Sequence, residues 1–340
     1  MVGAPSSGKA EWTVTDTSAS SAPLLDVRDL VKHYRERGSH GWGMRTIYAL
    51  NGVTLHLDRR ETLAIVGESG SGKSTLGRVI LRLEEPTSGS VVFDGQEVTA
   101  LGNSDLRHLR KRIQVVFQDP YASLNPRLTV GASIAEGLII HQLAEGAGVA
   151  SQVSGLLDEV GLPPEDAQLY PQEFSGGQRQ RIAIARALAV EPDLVICDEP
   201  VSALDVSVQD KILTLLGTLQ RERGLSYLFI AHDLAVVRQV AHRVTVMYHG
   251  LIIEEGPVDA VVGDPKHPYT RALVSAAPRL DTRRVDRIVL DGEPTPAHEM
   301  PSGCPFFARC FHPLKDNLCR NERPVLRRVG RSNTACHYSE

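Results

Sequence analysis

Thr62-Leu-Ala-Ile-Val66-Gly67-Glu68-Ser69-Gly70-Ser71-Gly72-Lys73-Ser74-Thr75 is the stretch on which the fold turns. A short apolar, β-branched run stops at a glycine, and the residues from Gly67 to Ser74 fit G-x-x-x-x-G-K-[ST]. Glycines at these places let backbone N–H groups wrap a phosphate, and a helix starting near Lys73 adds the positive end of its dipole. Lys73 brings a point charge for the outer phosphates, and the Ser74 hydroxyl is placed to ligate Mg²⁺. The chain holds its own control. Gly3-Ala-Pro-Ser-Ser-Gly8-Lys9-Ala10 has nearly the same spacing, but it ends in alanine and follows no strand, so it reads as chance.

Working outward, Leu194-Val-Ile-Cys-Asp198-Glu199 is a second buried strand, and it ends in two carboxylates. Strand C-termini line the ligand crevice in open α/β sheets. Asp198 is thus a candidate for holding Mg²⁺, and Glu199 for taking the proton of an attacking water. Further strands are expected at Leu24–Leu30, Val53–Leu57, Ser90–Phe93 (with a turn at Asp94-Gly95), Ile113–Phe117 and Tyr227–Ala231. Val244–Tyr248 and Leu251–Glu254 flank His249-Gly250 as a hairpin. Helices are expected at Lys73–Leu83, Arg179–Val190 and Val208–Arg223. Such alternation implies a mostly parallel sheet. Between two of its strands, helical stretches at Val130–Leu143 and Ser151–Val160 read as an inserted helical unit.

The flanks differ. Residues 1–23 hold eight Ser or Thr and read as a disordered tail; residues 281–340, rich in Pro, Arg and Cys, read as a separate small unit. The whole chain has 340 residues, is 42% hydrophobic and carries a net charge of 37 − 41 = −4. That balance argues against a dedicated nucleic-acid binder. No apolar run approaches the ~20 residues that span a bilayer, and no secretory leader pattern opens the chain. A soluble cytoplasmic chain is expected. Of five cysteines, Cys197 sits in an apolar strand as a small core residue, while Cys304, Cys310, Cys319 and Cys336 cluster late, as metal-binding thiols do in a reducing compartment.

Phe174-Ser175-Gly176-Gly177-Gln178, followed by Arg-Gln-Arg and a helix, resembles the signature of ATP-binding-cassette ATPases. Physically it is a second helix start able to cradle a phosphate. In that family two cassettes pair head to tail, so each signature serves the other chain's ATP. The other family marks follow in order. Tyr34 in Val-Lys-His-Tyr stands where an aromatic stacks on adenine. Gln118 in Val-Phe-Gln-Asp-Pro matches the glutamine that contacts Mg²⁺ and the attacking water. Ser202-Ala-Leu-Asp205 matches the loop that communicates across the dimer, and His232 in Phe-Ile-Ala-His-Asp the histidine at the γ-phosphate. The resemblance implies a RecA-like P-loop nucleotide-binding domain over residues 24–263, with an inserted helical subdomain at about 119–178. Residues 264–340 form a small cysteine-containing extension.

More narrowly, residues 117–127 and Asp264-Pro-Lys-His-Pro-Tyr-Thr-Arg-Ala-Leu273 resemble the F-type ATPase subunit of bacterial oligopeptide and dipeptide permeases. This implies a peripheral subunit on the cytoplasmic side of the membrane. Its partners would be a second, D-type ATPase, two transmembrane permease subunits and, through them, an extracytoplasmic peptide-binding protein. Relatives of similar sequence carry nickel, glutathione or other solutes. Gly303-Cys-Pro-Phe-Phe-Ala-Arg-Cys310 and Ala335-Cys-His337 resemble the subfamily motif whose four cysteines bind a [4Fe-4S] cluster. Zinc and unligated thiols are the alternatives, because the spacing matches no zinc-finger or ferredoxin template. Two readings of another class stand beside the transporter motor: a soluble ABC ATPase, and a redox-sensing module in which the thiols matter most.

Overall fold

The computed structural model describes residues 22–37, 43–277 and 287–340. The expected tail and the second glycine string, Gly3–Ala10, fall outside the described residues, apart from the tail's last two. In chain order the elements are β1 (Leu25–Arg37), β2 (Met44–Leu57), β3 (Thr62–Val66), α1 (Lys73–Ile80), β4 (Ser88–Phe93), β5 (Gln96–Glu97), α2 (Asn103–Arg112) and β6 (Ile113–Val116). The helical insertion follows as α3 (Pro120–Ser123), α4 (Val130–Ile140), α5 (Ala147–Glu159) and the start of α6 (Gly176–Leu188). Then come β7 (Leu194–Asp198), α7 (Val206–Arg223), β8 (Ser226–Ala231), α8 (Leu234–Val240), β9 (Arg243–Tyr248), β10 (Leu251–Pro257), α9 (Val258–Gly263) and α10 (Pro268–Ala276). The C-terminal segment adds α11 (Asn317–Asn321), β11 (Arg327–Val329) and β12 (Ser332–Thr334).

The main sheet runs β11-β12-β10-β9-β3-β8-β7-β6, parallel from β9 to β6 and antiparallel beyond β9. Its central strands are buried on both faces, which is why they read as continuous apolar runs. Alternate residues serve different cores. On β3, β8 and β7, Leu63, Ile65, Leu228, Ile230, Leu194 and Ile196 pack with Leu76, Val79 and Ile80 of α1. Ala64, Val66, Phe229 and Cys197 face the core shared with α6, α7 and the helical insertion. Cys197 is fully buried, as a core residue should be, and burial pushes its thiol pKa up.

Two features depart from the sequence reading. First, α1 is covered on its far side by a separate four-stranded antiparallel sheet, β2-β1-β4-β5. Second, the C-terminal segment does not stand apart: β12 pairs with β10 (Glu254 with Thr334, Glu255 with Asn333) and extends the main sheet. The reason is a buried carboxylate. Glu254 is fully buried and accepts from the backbone N–H groups of Lys266 and His267 at 2.8 and 2.9 Å and from the Ser332 hydroxyl at 3.3 Å. A buried acid needs such donors, and these come from both sides of the supposed boundary. The two expected turns form as read, with positive φ at Asp94 and Gly95 and at His249 and Gly250.

Candidate functional site

β3 delivers the chain to the phosphate loop, and the loop's glycines are set by close approach. A Cβ at Gly67 would stand 2.3 Å from the Met247 carbonyl, and one at Gly72, where φ is +104°, 2.4 Å from the Ala49 carbonyl. Ser69 and Gly70 form the exposed crest, and Ser71 is buried below it. Lys73 is 5% exposed, and its Nζ folds back to donate to the Gly67 and Glu68 carbonyls at 2.8 and 3.0 Å. Burial lowers its pKa, opposed by Glu199, Asp198 and Glu68. A cation held over a turn of backbone N–H groups is a phosphate receptor.

The ends of the neighbouring strands meet this loop. Ser74 Oγ donates to Asp198 Oδ1 at 3.0 Å. Burial raises the Asp198 pKa, and the Ser74 bond works against that. Two adjacent hard oxygens at the mouth of a phosphate loop fit Mg²⁺. One residue on, Glu199 adopts φ +49° and hangs from the Ile230 carbonyl through its own N–H at 3.0 Å. A non-glycine residue in this region costs energy and is held only where the surroundings fix it. Its Oε2 accepts from Gln118 Nε2 at 3.1 Å and lies 3.1 Å from His232 Nδ1. Lys73, Ser74, Asp198, Glu199, Gln118 and His232, expected from separate motifs, thus converge.

The remaining candidates lie around this centre. Tyr34, on β1, hydrogen-bonds Glu84 through its hydroxyl, next to Thr75, and Lys32 Nζ sits 4.8 Å from its ring centroid. Ser175 caps α6 in a reciprocal box with Gln178. Ser175 and Gln178 hydrogen-bond within that turn, and the Ser175 carbonyl accepts from the Arg179 N–H in the first turn of α6. Ser175, Gln178 and Asp205 are exposed, and Val206 beside them is 81% exposed. Gly177 has a packing reason of its own, since a Cβ there would meet Val208 Cγ1 at 2.4 Å.

A scan of family models finds "ABC transporter" over residues 50–202 and "Oligopeptide/dipeptide transporter, C-terminal region" over residues 253–319. The di/tripeptide transport ATP-binding protein DppF of Pseudomonas aeruginosa is 47% identical over 93% of this chain and 98% of its own length. The chain belongs to the ATP-binding subunits of ABC transporters. The glutathione import ATP-binding protein GsiA of Salmonella paratyphi A is 50% identical over 89% of the chain and 50% of that longer protein. Among solved structures, the dimeric post-hydrolysis cassette MJ0796 bound to ADP and Pi superposes with a TM-score of 0.62 at 32% identity, covering 69% of this chain and 99% of that one. No helix among the described residues is long and apolar enough to cross a membrane.

Within the extension, Cys304, Cys310, Cys319 and Cys336 line one pocket with Phe306, Phe307 and His337. The cysteines are free thiols, and burial pushes Cys304 up to about 12 and raises Cys310 and Cys319. The donor set is that of a thiolate centre, but among the described residues no group of three or more His, Cys, Asp or Glu is arranged to hold a metal ion. Among the described residues the expected iron–sulfur site is thus not shown as a formed ligand shell. The sequence reading missed a different contact: Arg309 forks onto Glu68 of the phosphate loop at 2.7 and 3.1 Å. Both segments carrying it stand out in the sequence, but nothing local links positions 241 apart.

Proposed function

We propose that this cassette binds Mg-ATP at Gly67–Thr75 and hydrolyses it to drive a membrane importer of oligopeptides or dipeptides. The observation that carries the reading is the Glu199 carboxylate, held between Gln118 and His232 beside Lys73 and the Ser74–Asp198 pair. Glu199 accepts a proton from, or orients, the attacking water. Gln118 and His232 fix its carboxylate, and His232 also reaches the γ-phosphate. Lys73 and the loop N–H groups hold charge on the phosphates. Ser74, Asp198 and Gln118 would hold Mg²⁺, which would supply positive charge against the phosphate oxygens. Tyr34 stacks on adenine.

The exposed turn Ser175–Gln178, with Asp205, supports a second half-site that closes on the nucleotide of another cassette, a D-type homologue or a copy. ATP held between the two favours the closed pair, and hydrolysis releases it. In this reading residues 24–263 are the cassette, 119–178 its helical subdomain facing two transmembrane subunits, and 264–340 an extension; the chain works peripherally at the cytoplasmic face. Glutathione import is the second reading, favoured by the 50% identity to a glutathione importer subunit. Four thiols around one pocket support a metal centre at Cys304, Cys310, Cys319 and Cys336, as a [4Fe-4S] cluster or zinc, checked by metal analysis and visible absorbance after anaerobic purification. The deciding experiment is uptake of labelled di- to hexapeptides, with glutathione alongside, in cells whose chain carries Lys73→Ala. Loss of peptide uptake is the expected result; loss of glutathione uptake alone moves the substrate, and no loss removes the motor reading.

A further inference from the structure

Two residues outside the cassette motifs reach the phosphate loop from the C-terminal segment. Tyr269, in the first turn of α10, is fully buried, and its hydroxyl accepts from the Glu68 N–H at 2.7 Å. Arg309 sits one residue before Cys310. Its Nη1 donates to Glu68 Oε2 at 2.7 Å and its Nη2 to Oε1 at 3.1 Å, a planar fork on a carboxylate. The Arg309 side chain is 9% exposed against 31% for Glu68, so water screens the pair only in part.

The frame behind both residues is closely packed. Phe306, fully buried, packs edge-on against Tyr248 and Tyr269 with ring centroids 5.4 Å from each. His267 lies 5.8 Å from the same ring, and its Nδ1 accepts the Tyr269 N–H at 3.0 Å. The Cys304–Cys310 span therefore supplies both the aromatic wedge and the guanidinium. On the other side, the Glu68 carbonyl accepts from Lys73 Nζ. A carboxylate one residue into a phosphate loop would, if unpaired, repel the polyanion that the loop receives.

We propose that Arg309 neutralises Glu68 and, together with Tyr269, positions the phosphate loop, so that the C-terminal extension is part of the nucleotide site. This rests on the reading of Gly67–Thr75 as that site. Arg309 and Tyr269 are positioning residues, since each acts through Glu68 and neither touches phosphate. The arrangement gives the cysteine pocket a short path to the phosphate loop, through one peptide bond from Cys310 to Arg309 and then the Arg309–Glu68 ion pair.

The test is equilibrium binding of a non-hydrolysable ATP analogue with Mg²⁺ to the full chain. Arg309→Gln should weaken binding about tenfold, since it strips a charge-assisted fork and bares a carboxylate. KM for ATP should rise by a similar factor, with a smaller fall in kcat. Adding Glu68→Gln should recover affinity to within about threefold of the native chain, as the repelling charge is gone. The Arg309→Gln penalty should also shrink in about 1 M salt. A purely structural arginine would make the double variant no better than the single and leave the salt dependence unchanged; that result overturns the proposal.

If Arg309→Gln fails to fold, Arg309→Lys decides, since it keeps the positive charge beside Glu68 while losing the fork. Analogue binding within about threefold of the native chain supports the charge argument, and a loss of about tenfold that does not change with salt overturns it. Tyr269→Phe should cost about threefold, the size of one neutral hydrogen bond. Lys73→Ala, run alongside, separates the two levels: if it binds the analogue normally the nucleotide site itself is misplaced, whereas weak binding there with an unaffected Arg309→Gln removes only the role of Arg309.

Discussion

Helices α1 and α6 both begin at a glycine-bearing turn with free N–H groups, yet their surroundings are opposite. The turn before α1 is packed from below by the Met247 and Ala49 carbonyls, covered by its own Lys73, and tied from behind by Tyr269 and Arg309. The turn before α6 is exposed, closes its hydrogen bonds on itself through Ser175 and Gln178, and carries no lysine at the helix start. One cradle holds its own countercharge and the other does not. The lesson is that a complete phosphate receptor needs a built back wall, while a half-receptor needs only a presentable helix end. In the proposed dimer, each supplies what the other lacks.

The sharpest way to break this contrast is to disable each cradle's chemistry separately. Glu199→Gln should lower ATP turnover by about 10²–10³-fold while a single chain still binds nucleotide, because the carboxylate's proton acceptance is lost but the phosphate receptor is intact. Ser175→Arg should also abolish turnover, yet leave single-chain analogue binding at the native value. Equilibrium binding beside a phosphate-release assay checks both. If Ser175→Arg weakens single-chain binding as Lys73→Ala does, the α6 turn belongs to the chain's own site and the half-receptor argument fails.

A smaller effect tests the packing beneath α6. Gly177→Ala puts a Cβ 2.4 Å from Val208 Cγ1. Val208 is β-branched and stiff, so overpacking should cost about 1–3 kcal/mol in stability. Val208→Ala in the same chain should return part of it, measured by urea unfolding. No recovery would mean that the clash is relieved by backbone movement of the turn.

These contrasts also show what could be read from the residues in order. Gly67–Ser74, Asp198 and Glu199 were legible because a few adjacent residues set their chemistry and buried strands precede them. Gln118, His232 and the signature turn were legible only through family resemblance; alone, each is an ordinary polar residue after a strand or before a helix. Lys32, His33 and Arg35 break the apolar run after Leu30, yet β1 continues to Arg37 by pairing with Met44–Leu50. α2 was missed since Leu106 and Leu109 are its buried residues amid six basic and acidic ones. The attachment of the C-terminal segment, through Glu254 to Ser332 and Glu68 to Arg309, joins positions 78 and 241 apart. No local pattern encodes pairs so distant.

The smallest expected effect concerns acid, and it touches one cradle only. His267 caps α10 by accepting the Tyr269 N–H on Nδ1, and burial holds its pKa down at about 3. The folded chain therefore keeps this imidazole neutral, while the unfolded chain protonates it below about 6.5. A depressed pKa of this kind adds stability that is fully present above the unfolded value and is lost as pH falls through the window toward 3. Between pH 7.5 and pH 5 the loss should be about 1–2 kcal/mol from this group. Thermal unfolding of the native chain and of His267→Asn, whose amide oxygen can still cap the helix, should separate the two: the variant's melting temperature should fall less steeply with acid. Tyr269 donates to this cap and its hydroxyl in turn accepts from the Glu68 N–H, so a charge on His267 would act on the α1 turn alone, whereas the α6 turn is capped by Ser175 and Gln178, which do not titrate. Parallel slopes for the two chains would place the acid sensitivity elsewhere and leave the back wall of the phosphate loop indifferent to the charge on His267.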